Sequence, residues 1–472
     1  LKKLLNETII YGIGAILPRV KTFLLNPLYI HYIDKEAFSV FSSLYSWIAL
    51  VNVMLTFGFE TSFFRFSTEK ENEKKSFDTS FWFIFGLAAV FLISILIFSA
   101  PLSVILDYAK NPEFLRWFAM IAFLDAICVI PFAWLRFHNM PIKYSVIRVA
   151  SILVQTISVI ALFIFVPTST SEKIGLDGQV SYPFISNLLG SLATFVLLLP
   201  IILKVKFRFS KELFSRMIKY SWPIMIAGLA FQVNENYDKI TQYYNISKAD
   251  AGAYGGCYKL AVLMTLFVTA YRMGIEPFFF KQMQSENAKN TYANVAEYFA
   301  LFSSVVALGI ITNISWLKLL FIPNKTYWIA LDIIPIIVIA NLFFGIYYNF
   351  STWYKVTDKT HFGTIISWIG AGITIALNLL FLSKYGFMVS AWVKFSSYFL
   401  MMVLSYWLGQ KYYPIDYKIK KMSFFIILLI VFSYITVEVF EYNFWLSNLL
   451  FIIYTTVLLY SEKKFILSKI KK

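Results

Sequence analysis

The nine residues from Gly58 to Phe66 read GFETSFFRF, and they close a long apolar stretch with a glutamate and an arginine. A second stretch, Gly274–Gln282, reads GIEPFFFKQ. The glycine, the glutamate, a pair of phenylalanines and a basic residue recur at the same spacing, 216 residues later. The match extends without gaps over Ala37–Arg65 and Ala253–Lys281. The chain therefore contains an internal repeat whose two copies end in the same charged motif.

The composition identifies the solvent of this protein as the lipid bilayer. Of its 472 residues, 59% are hydrophobic and 14% are charged, with a mean hydropathy of +0.68. Soluble proteins are roughly 45–50% apolar and about 25% charged. The apolar runs are about 20 residues long, the length that crosses a hydrocarbon core as a helix. An all-α polytopic membrane protein is predicted, without a soluble catalytic domain.

The apolar runs predict about fourteen membrane spans. The first carries charged residues and is expected to stay in the protein as a span rather than to be a cleaved signal peptide. The predicted spans are 8–30, 37–59, 79–100, 114–135, 144–166, 182–203, 221–243, 253–277, 293–317, 328–350, 362–382, 387–408, 422–440 and 444–460.

The repeat divides these spans into two lobes. Its copies lie in spans 2 and 8, and an offset of six spans means that both copies run in the same direction through the membrane. A parallel repeat of this kind is typical of transporters that alternate access to a central site. The predicted organisation is an N-terminal six-helix lobe (1–203), a basic linker (204–220), a C-terminal six-helix lobe (221–410), and two appended helices with a basic tail (411–472).

Basic residues predict the orientation. With both termini in the cytoplasm, roughly 27 Lys and Arg fall on the cytoplasmic side and about 7 on the other. The segment KVKFRFSKELFSRMIK, residues 204–219, is expected to be an amphipathic helix on the cytoplasmic membrane surface. The net charge of +16 is spread over many short loops, which favours anionic lipid headgroups over nucleic acid as its partner.

Charges inside the predicted spans are the candidate functional residues, because a charge in the bilayer usually faces water or a partner. Basic residues outnumber acidic ones there, which indicates a cationic cavity for an anionic, phosphate-bearing substrate. The candidates for substrate binding are Arg19, Lys21, Arg148, Lys259, Arg272 and Lys394, with Arg19 and Lys259 expected to hold the head group from opposite lobes.

Three acidic residues and one lysine are candidates for coupling transport to an ion. They are Asp125, Glu235, Asp238 and Lys239, and the i, i+4 spacing of Glu235 and Lys239 predicts an ion pair. Sodium ions, protons and the membrane potential are all left open as the driving force. No metal site is expected, since the three histidines are scattered and both cysteines fall inside spans.

The repeated motif itself predicts a cytoplasmic gate. Its charged residues are Glu60 and Arg65 in the first copy and Glu276 and Lys281 in the second. Ordinary interfacial anchoring is the competing interpretation of these residues.

Four segments between residues 234 and 398 resemble a known family, the polysaccharide transport or oligosaccharide flippase family of the multidrug/oligosaccharidyl-lipid/polysaccharide exporter superfamily. The resemblance covers nearly the whole chain, with departures at Phe38 and Val389. The segments are NENYDKI (234–240), DAGAYGGCYKLA (250–261), YKVTDKTHFG (354–363) and YGFMVSAWVKFSSY (385–398).

The resemblance implies a function. It implies a flippase that moves an oligosaccharide on polyprenyl pyrophosphate to the outer leaflet of the bacterial inner membrane, for O-antigen, capsule or exopolysaccharide assembly. It also implies polysaccharide polymerase and chain-length regulator proteins as partners, and no cofactor. A multidrug or cation antiporter of the same superfamily remains as an alternative, although its cavity is expected to be rich in carboxylates. A membrane-embedded polymerase or ligase is less favoured, because no outer loop exceeds about 15 residues.

Overall fold

The structure, a computed structural model, describes residues 17–463 apart from 19, 70–71, 110, 168–169, 171–177 and 284. The side chains of residues 277, 280 and 281 also lie outside the described part. The chain divides into two compact units, each containing a group of packed helices. Unit 1 comprises the described residues among 1–25 and 40–240, and unit 2 those among 26–39 and 241–472.

Helices account for almost all of the described chain. The first, α1, covers residues 17–18 and 20–32. The helices that follow up to residue 245 are α2 (Lys35–Thr56), α3 (Phe59–Ser67), α4 (Glu73–Ile105), α5 (Pro112–Phe137), α6 (Pro141–Phe165), α7 (Ser181–Ile202) and α8 (Lys211–Asn245).

The described residues of the second half add nine α-helices, a 3₁₀ turn over Lys325–Ala330 and a π-helical turn over Ile435–Val439. The helices are α9 (Lys248–Gln282), α10 (Ala288–Thr312), α11 (Ile314–Phe321), α12 (Ile333–Phe350), α13 (Thr352–Val356), α14 (His361–Tyr385), α15 (Met388–Tyr412), α16 (Ile419–Tyr434) and α17 (Phe444–Ser461).

The all-α polytopic fold is confirmed. Twelve helices in the described residues are long and apolar enough to cross a membrane, and each coincides with one predicted span. The other two predicted spans correspond to α1, whose first part lies outside the described residues, and to α8, which is a continuous helix but carries the polar run NENYDK.

The basic linker differs from its prediction. Residues 205–210 are not helical, and the helix begins only at Lys211 and continues without a break as α8. The reason is that side chains of α4 accept hydrogen bonds from backbone N–H groups of the linker, which in a helical linker would be satisfied within the helix. Asp78 accepts from the backbone N–H of Lys206 at 3.0 Å, and Thr79 accepts from that of Ser210 at 3.3 Å.

The two compact units are defined by contacts between helices, and their boundary differs from that of the predicted lobes, 1–203 and 221–410. The part of α8 up to Ile240 belongs to unit 1, where Ser62 on α3 donates to the carbonyl oxygen of Met217 on α8 at 3.4 Å. Residues 26–39 belong to unit 2, where Tyr327 donates to the carbonyl oxygen of Ile33 at 2.8 Å. The division into lobes remains a prediction about the repeat.

The repeated phenylalanines pack in the same way in each unit. Phe63 lies against Phe77 near the start of α4, with ring centroids 6.1 Å apart. Phe279 lies against Tyr292 near the start of α10, with centroids 5.3 Å apart. All four rings are buried. The recurrence of phenylalanine thus reflects a shared packing contact between the end of one span and the start of the next.

The repeated glycine, by contrast, has a different backbone in each copy. Gly58 adopts φ +70°, in the left-handed region, and separates α2 from α3. Its Cα lies so close to α8 that an added Cβ would stand 2.9 Å from the carbonyl oxygen of Ser221. Gly274 lies inside the continuous helix α9, where an added Cβ would meet no atom within 4 Å.

The appended helices α16 and α17 are attached to α10 by charges and hydroxyls. Glu297 of α10 is buried and lies 2.8 Å from the ammonium of Lys418 and 2.9 Å from that of Lys421. Lys421 also pairs with Glu462, just after α17. Further along, Tyr454 of α17 donates to Ser304 of α10 at 2.6 Å. This pair of helices is therefore part of the packed unit 2.

Candidate functional site

Three of the predicted interior charges come together in unit 1. Lys21 on α1 donates to the side-chain carbonyl of Gln155 on α6. Asp125 on α5 accepts from the hydroxyl of Ser191 on α7 at 2.7 Å, and it lies within electrostatic range of both Lys21 and Arg148. We call Lys21, Asp125 and Arg148 the unit 1 charge cluster. It contains two cations and one carboxylate, so the cluster is net positive.

Arg148 is held in this cluster largely by aromatic rings. Its guanidinium carbon lies 3.9 Å from the centroid of Phe132 and 5.7 Å from that of Tyr144, which is cation–π geometry. Its Nε is buried and has no hydrogen-bond partner among the described residues. A planar guanidinium that is stacked on a ring and incompletely hydrogen-bonded retains capacity to bind an anion.

A small residue on α7 allows the helices of this region to approach. A Cβ added at Gly190 would lie 3.1 Å from the Cβ of Gln155 and 3.3 Å from the carbonyl oxygen of Ser151. Ser151 donates to the carbonyl oxygen of Gly190 at 2.9 Å, and Thr194 donates to Ser151 at 2.7 Å. Close packing of α6 on α7 therefore fixes Gln155, and through it the position of Lys21.

A second buried charge pair lies on α8. Lys239 and Asp238 are both buried, and the ammonium donates to Asp238 Oδ1 at 2.9 Å. Lys239 also donates to the main-chain carbonyl of Glu235 at 2.9 Å. The predicted i, i+4 neighbours are thus in contact through the backbone carbonyl of Glu235, and an ion pair between their side chains stays a prediction. A helix turn brings the i−4 carbonyl into reach of a long side chain.

Lys394 on α15 is almost fully buried in unit 2, with 2% of its surface exposed. It donates to the hydroxyl of Tyr258 on α9 at 2.9 Å and lies within cation–π distance of Tyr258 and Tyr398. Another candidate for substrate binding, Lys259, follows Tyr258 on α9 and is partly buried. A lysine among tyrosines is stabilised by ring quadrupoles and a hydroxyl, which leaves it a cationic centre in an aromatic setting.

The second copy of the repeated motif forms an ion cluster at the end of α9. Glu276 accepts from Lys355 on α13 at 2.9 Å and lies 3.7 Å from Arg272, one turn earlier. Arg272 donates to the hydroxyl of Tyr348 and lies over its ring at 4.4 Å. Two cations surround one carboxylate here as well, and all three are partly exposed.

The first copy forms an equivalent pair. Glu60 on α3 pairs with Arg136 near the end of α5. Arg136 occupies the place in unit 1 that Lys355 occupies in unit 2, since each follows a tryptophan, Trp134 or Trp353, by two residues. Each repeated glutamate therefore has a basic partner within its own unit, and the gate between lobes remains a prediction.

Sequence reasoning missed these basic partners, although a signal was present. The segments AWLRFHN (133–139) and TWYKVTD (352–358) share a tryptophan, a basic residue and a final Asn or Asp at an offset of 219 residues. Asn139 and Asp358 both adopt a left-handed backbone, at φ 53° and 56°. Asn and Asp are the non-glycine residues that tolerate this conformation best. The internal repeat thus extends to the turn after this pair of helices.

The remaining predicted residues stand as follows. Arg19 and the side chain of Lys281 lie outside the described part of the chain. Arg65 is exposed, and its guanidinium lies 4.7 Å from the ring of Tyr220. Within the described residues, no group of three His, Cys, Asp or Glu side chains is arranged to hold a metal ion.

Comparison with known proteins assigns the sequence to a family. Residues 4–283, more than half of the chain, match the family model described as polysaccharide biosynthesis protein. A search of curated proteins finds no matching sequence.

Solved structures share the fold at low sequence identity. A lipid II flippase, MurJ, in an inward closed conformation superimposes with a TM-score of 0.76 at 16% identity, covering 97% of this chain and 100% of that one. An inward-facing multidrug resistance MATE family transporter of the MOP superfamily gives 0.66 at 11%, covering 84% and 94%. The Vibrio cholerae MATE transporter VcmN in its bent form gives 0.57 at 13%, covering 89% and 97%.

Proposed function

Because the chain belongs to the family of polysaccharide biosynthesis proteins, we propose that it is a flippase for a lipid-linked oligosaccharide. It moves an oligosaccharide on polyprenyl pyrophosphate from the inner to the outer leaflet of the bacterial inner membrane. The product feeds the assembly of a cell-surface polysaccharide such as O-antigen, capsule or exopolysaccharide. Both termini of the chain lie in the cytoplasm.

The observation that carries this proposal is the excess of cations over carboxylates among the interior charges. In the unit 1 charge cluster, one carboxylate, that of Asp125, lies within electrostatic range of two cations, Lys21 and Arg148. A pyrophosphate carries several negative charges and many acceptor oxygens, and charge-assisted hydrogen bonds to Arg and Lys are the strongest that a protein can offer it. In a medium of low dielectric, uncompensated positive charge attracts an anion more strongly than it would in water.

The two kinds of cation contribute differently to this binding. Arg148 presents a planar set of donors that suits two oxygens of one phosphate, whereas Lys21 acts as a single point of charge on a flexible stem. The tyrosines around Lys394 add ring faces and a hydroxyl. Aromatic faces suit the apolar faces of sugar rings, so this region is the candidate for contact with the glycan.

A multidrug or cation antiporter of the same superfamily is the second candidate. It is favoured by the buried carboxylates Asp125 and Asp238, since an organic cation would be held by acidic groups. Both carboxylates contact other side chains: Asp125 accepts from Ser191, and Asp238 from Lys239. The same acidic residues are the candidates for ion coupling in a flippase, where protons or sodium ions reset the transporter.

Variants of two candidate substrate-binding residues, Arg19 and Arg148, test the proposal in reconstituted vesicles that contain a lipid-linked oligosaccharide. Arg19→Lys should reduce translocation partly, because the charge remains but the planar fork is lost, and Arg19→Ala should reduce it severely. Arg148→Lys should likewise reduce translocation partly, and Arg148→Ala should reduce it severely. Lys420→Gln, at an exposed lysine outside the clusters, is the matched control and should translocate at the wild-type rate.

The outcome is read together with the amount of folded protein. Full activity in a well-folded Arg19→Ala and Arg148→Ala protein would place the head group elsewhere. If vesicles with the wild-type protein transported organic cations faster than vesicles without it, and translocated no glycan, the antiporter would be favoured instead.

A further inference from the structure

Residues 203–211 join α7 to α8: Leu203 and Lys204 form a turn, residues 205–210 are not helical, and Lys211 is the first residue of α8. The segment reads LKVKFRFSK and contains Lys204, Lys206, Arg208 and Lys211, with no acidic residue. It directly follows Ser181–Ile202, one of the twelve helices that can cross the membrane. A segment that directly follows a membrane-crossing helix is expected at the membrane surface, near the lipid headgroups.

Buried polar groups of α4 hold this segment in place. Asp78 and Thr79, 4% and 0% exposed, accept from the backbone N–H groups of Lys206 and Ser210. The indole of Trp82 donates to the carbonyl oxygen of Lys206 at 3.0 Å. Burying a carboxylate costs free energy unless the carboxylate is hydrogen-bonded. The hydrogen bonds from the segment's backbone therefore stabilise buried Asp78, and in turn they fix the backbone of the segment.

What the segment displays is both cationic and apolar. Phe207 is 88% exposed and Leu203 is 75% exposed, and Phe209 is also exposed. Lys206 and Arg208 flank Phe207 on both sides and are exposed as well. In water, large apolar side chains exposed on a fixed backbone would promote aggregation. At a membrane, the same pattern buries the rings among acyl chains and leaves the cations at the depth of the phosphates.

From these observations we propose that residues 203–211 form a binding site for anionic phospholipids. Phe207 inserts at the boundary between headgroups and acyl chains, and Lys206 and Arg208 hold a lipid phosphate. The ties to Asp78 and Thr79 keep these side chains directed at the bilayer. A soluble phosphate would use the cations alone, whereas the exposed rings require a ligand with an apolar part.

Fluorescence at position 207 tests this site in the full-length protein. Both native cysteines are buried, so Phe207→Cys can be labelled selectively with an environment-sensitive fluorophore. In vesicles of mixed phosphatidylcholine and phosphatidylglycerol, the probe should be quenched by spin-labelled lipid. Spin-labelled phosphatidylglycerol should quench it more than spin-labelled phosphatidylcholine does. The preference should shrink as salt is raised from about 0.1 M to about 1 M, as the Debye length falls from roughly 10 Å to 3 Å.

Charge variants in the labelled background separate lipid binding from simple proximity to the bilayer. Lys206→Gln combined with Arg208→Gln should bring the ratio of anionic to neutral quenching to one. The matched control, Lys384→Gln combined with Lys420→Gln, removes the same charge at exposed sites elsewhere and should keep the ratio.

Several outcomes would overturn the proposal. Equal quenching by both spin-labelled lipids in the labelled protein that keeps Lys206 and Arg208 means that the site does not select anionic lipid. A water-like emission without quenching means that the segment does not touch the bilayer. Loss of the preference when inorganic phosphate is added at constant ionic strength means that the cations bind a soluble anion.

Discussion

Alanine at the two glycines of the repeated motif should change stability in opposite directions. Gly58 has a left-handed backbone at φ +70°, and an added Cβ would stand 2.9 Å from the carbonyl oxygen of Ser221 and 3.1 Å from the Cβ of Ile224. Gly274 is inside α9, with open space around an added Cβ. The two positions are equivalent in sequence, so the contrast comes only from the structure around them.

The magnitudes follow from the backbone. A left-handed conformation costs an L-residue roughly 1–2 kcal/mol, and the contact with a backbone carbonyl adds to that cost. Gly58→Ala should therefore lower the free energy of unfolding by about 2 kcal/mol or more. Glycine inside a helix destabilises a protein by roughly 0.5–1 kcal/mol relative to alanine. Gly274→Ala should therefore raise the free energy of unfolding by about that amount.

Thermal unfolding of the purified variants in one detergent measures this contrast. Midpoints are compared at a fixed scan rate, because unfolding of large proteins is often irreversible. Gly372→Ala, in a helix and with open space around an added Cβ, is the control and should behave like Gly274→Ala. If Gly274→Ala lowered the midpoint as much as Gly58→Ala, the reasoning would be refuted, because α9 would then break at its glycine as well.

Three further predictions concern ion pairs and topology. A double-mutant cycle on Glu60 and Arg136, both partly exposed, should give a coupling of roughly 0.2–1 kcal/mol in thermal stability, and no coupling would show that the pair does not form. Glu297→Gln should lower the free energy of unfolding by about 2 kcal/mol, because it weakens the buried contact to the lysines at the start of α16. An unchanged midpoint would mean that α16 is held by packing alone. Cysteine at Ser247 should react with an impermeant reagent from outside the cell and cysteine at Ser285 should not, and labelling of both would contradict the predicted orientation.

The spans were predictable because lipid demands apolar runs of a fixed length. The predicted ends fell short where helices continue into polar sequence: 253–277 was predicted, and the helix covers Lys248–Gln282. Hydropathy detects the buried length of a span, whereas backbone hydrogen bonds and capping set its ends. The linker was predicted as a helix because its own pattern is amphipathic. The hydrogen-bond partners on α4 that hold residues 205–210 in a non-helical conformation are more than a hundred residues away.

The candidate site was predictable in residue type but not in pairing. Interior charges such as Lys21, Asp125 and Arg148 are conspicuous in an apolar chain, and the structure brings these three together. Their uncharged partners, Gln155 and Ser191, carried no signal, since such residues are common in helices of membrane proteins. Pairing depends on which helices are neighbours, and one sequence does not specify that.

The central proposal is tested most directly by translocation of a lipid-linked oligosaccharide in vesicles that contain only the purified protein. A fluorescent group on the glycan is bleached by a reagent that does not cross the membrane, so only glycans on the outer leaflet lose their signal. We expect the wild-type protein to expose the inner-leaflet glycans as well, which removes the protected fraction, and Arg19→Ala to leave most of that fraction protected. Persistent protection with folded wild-type protein, with and without gradients of protons and sodium ions, would contradict the proposed function.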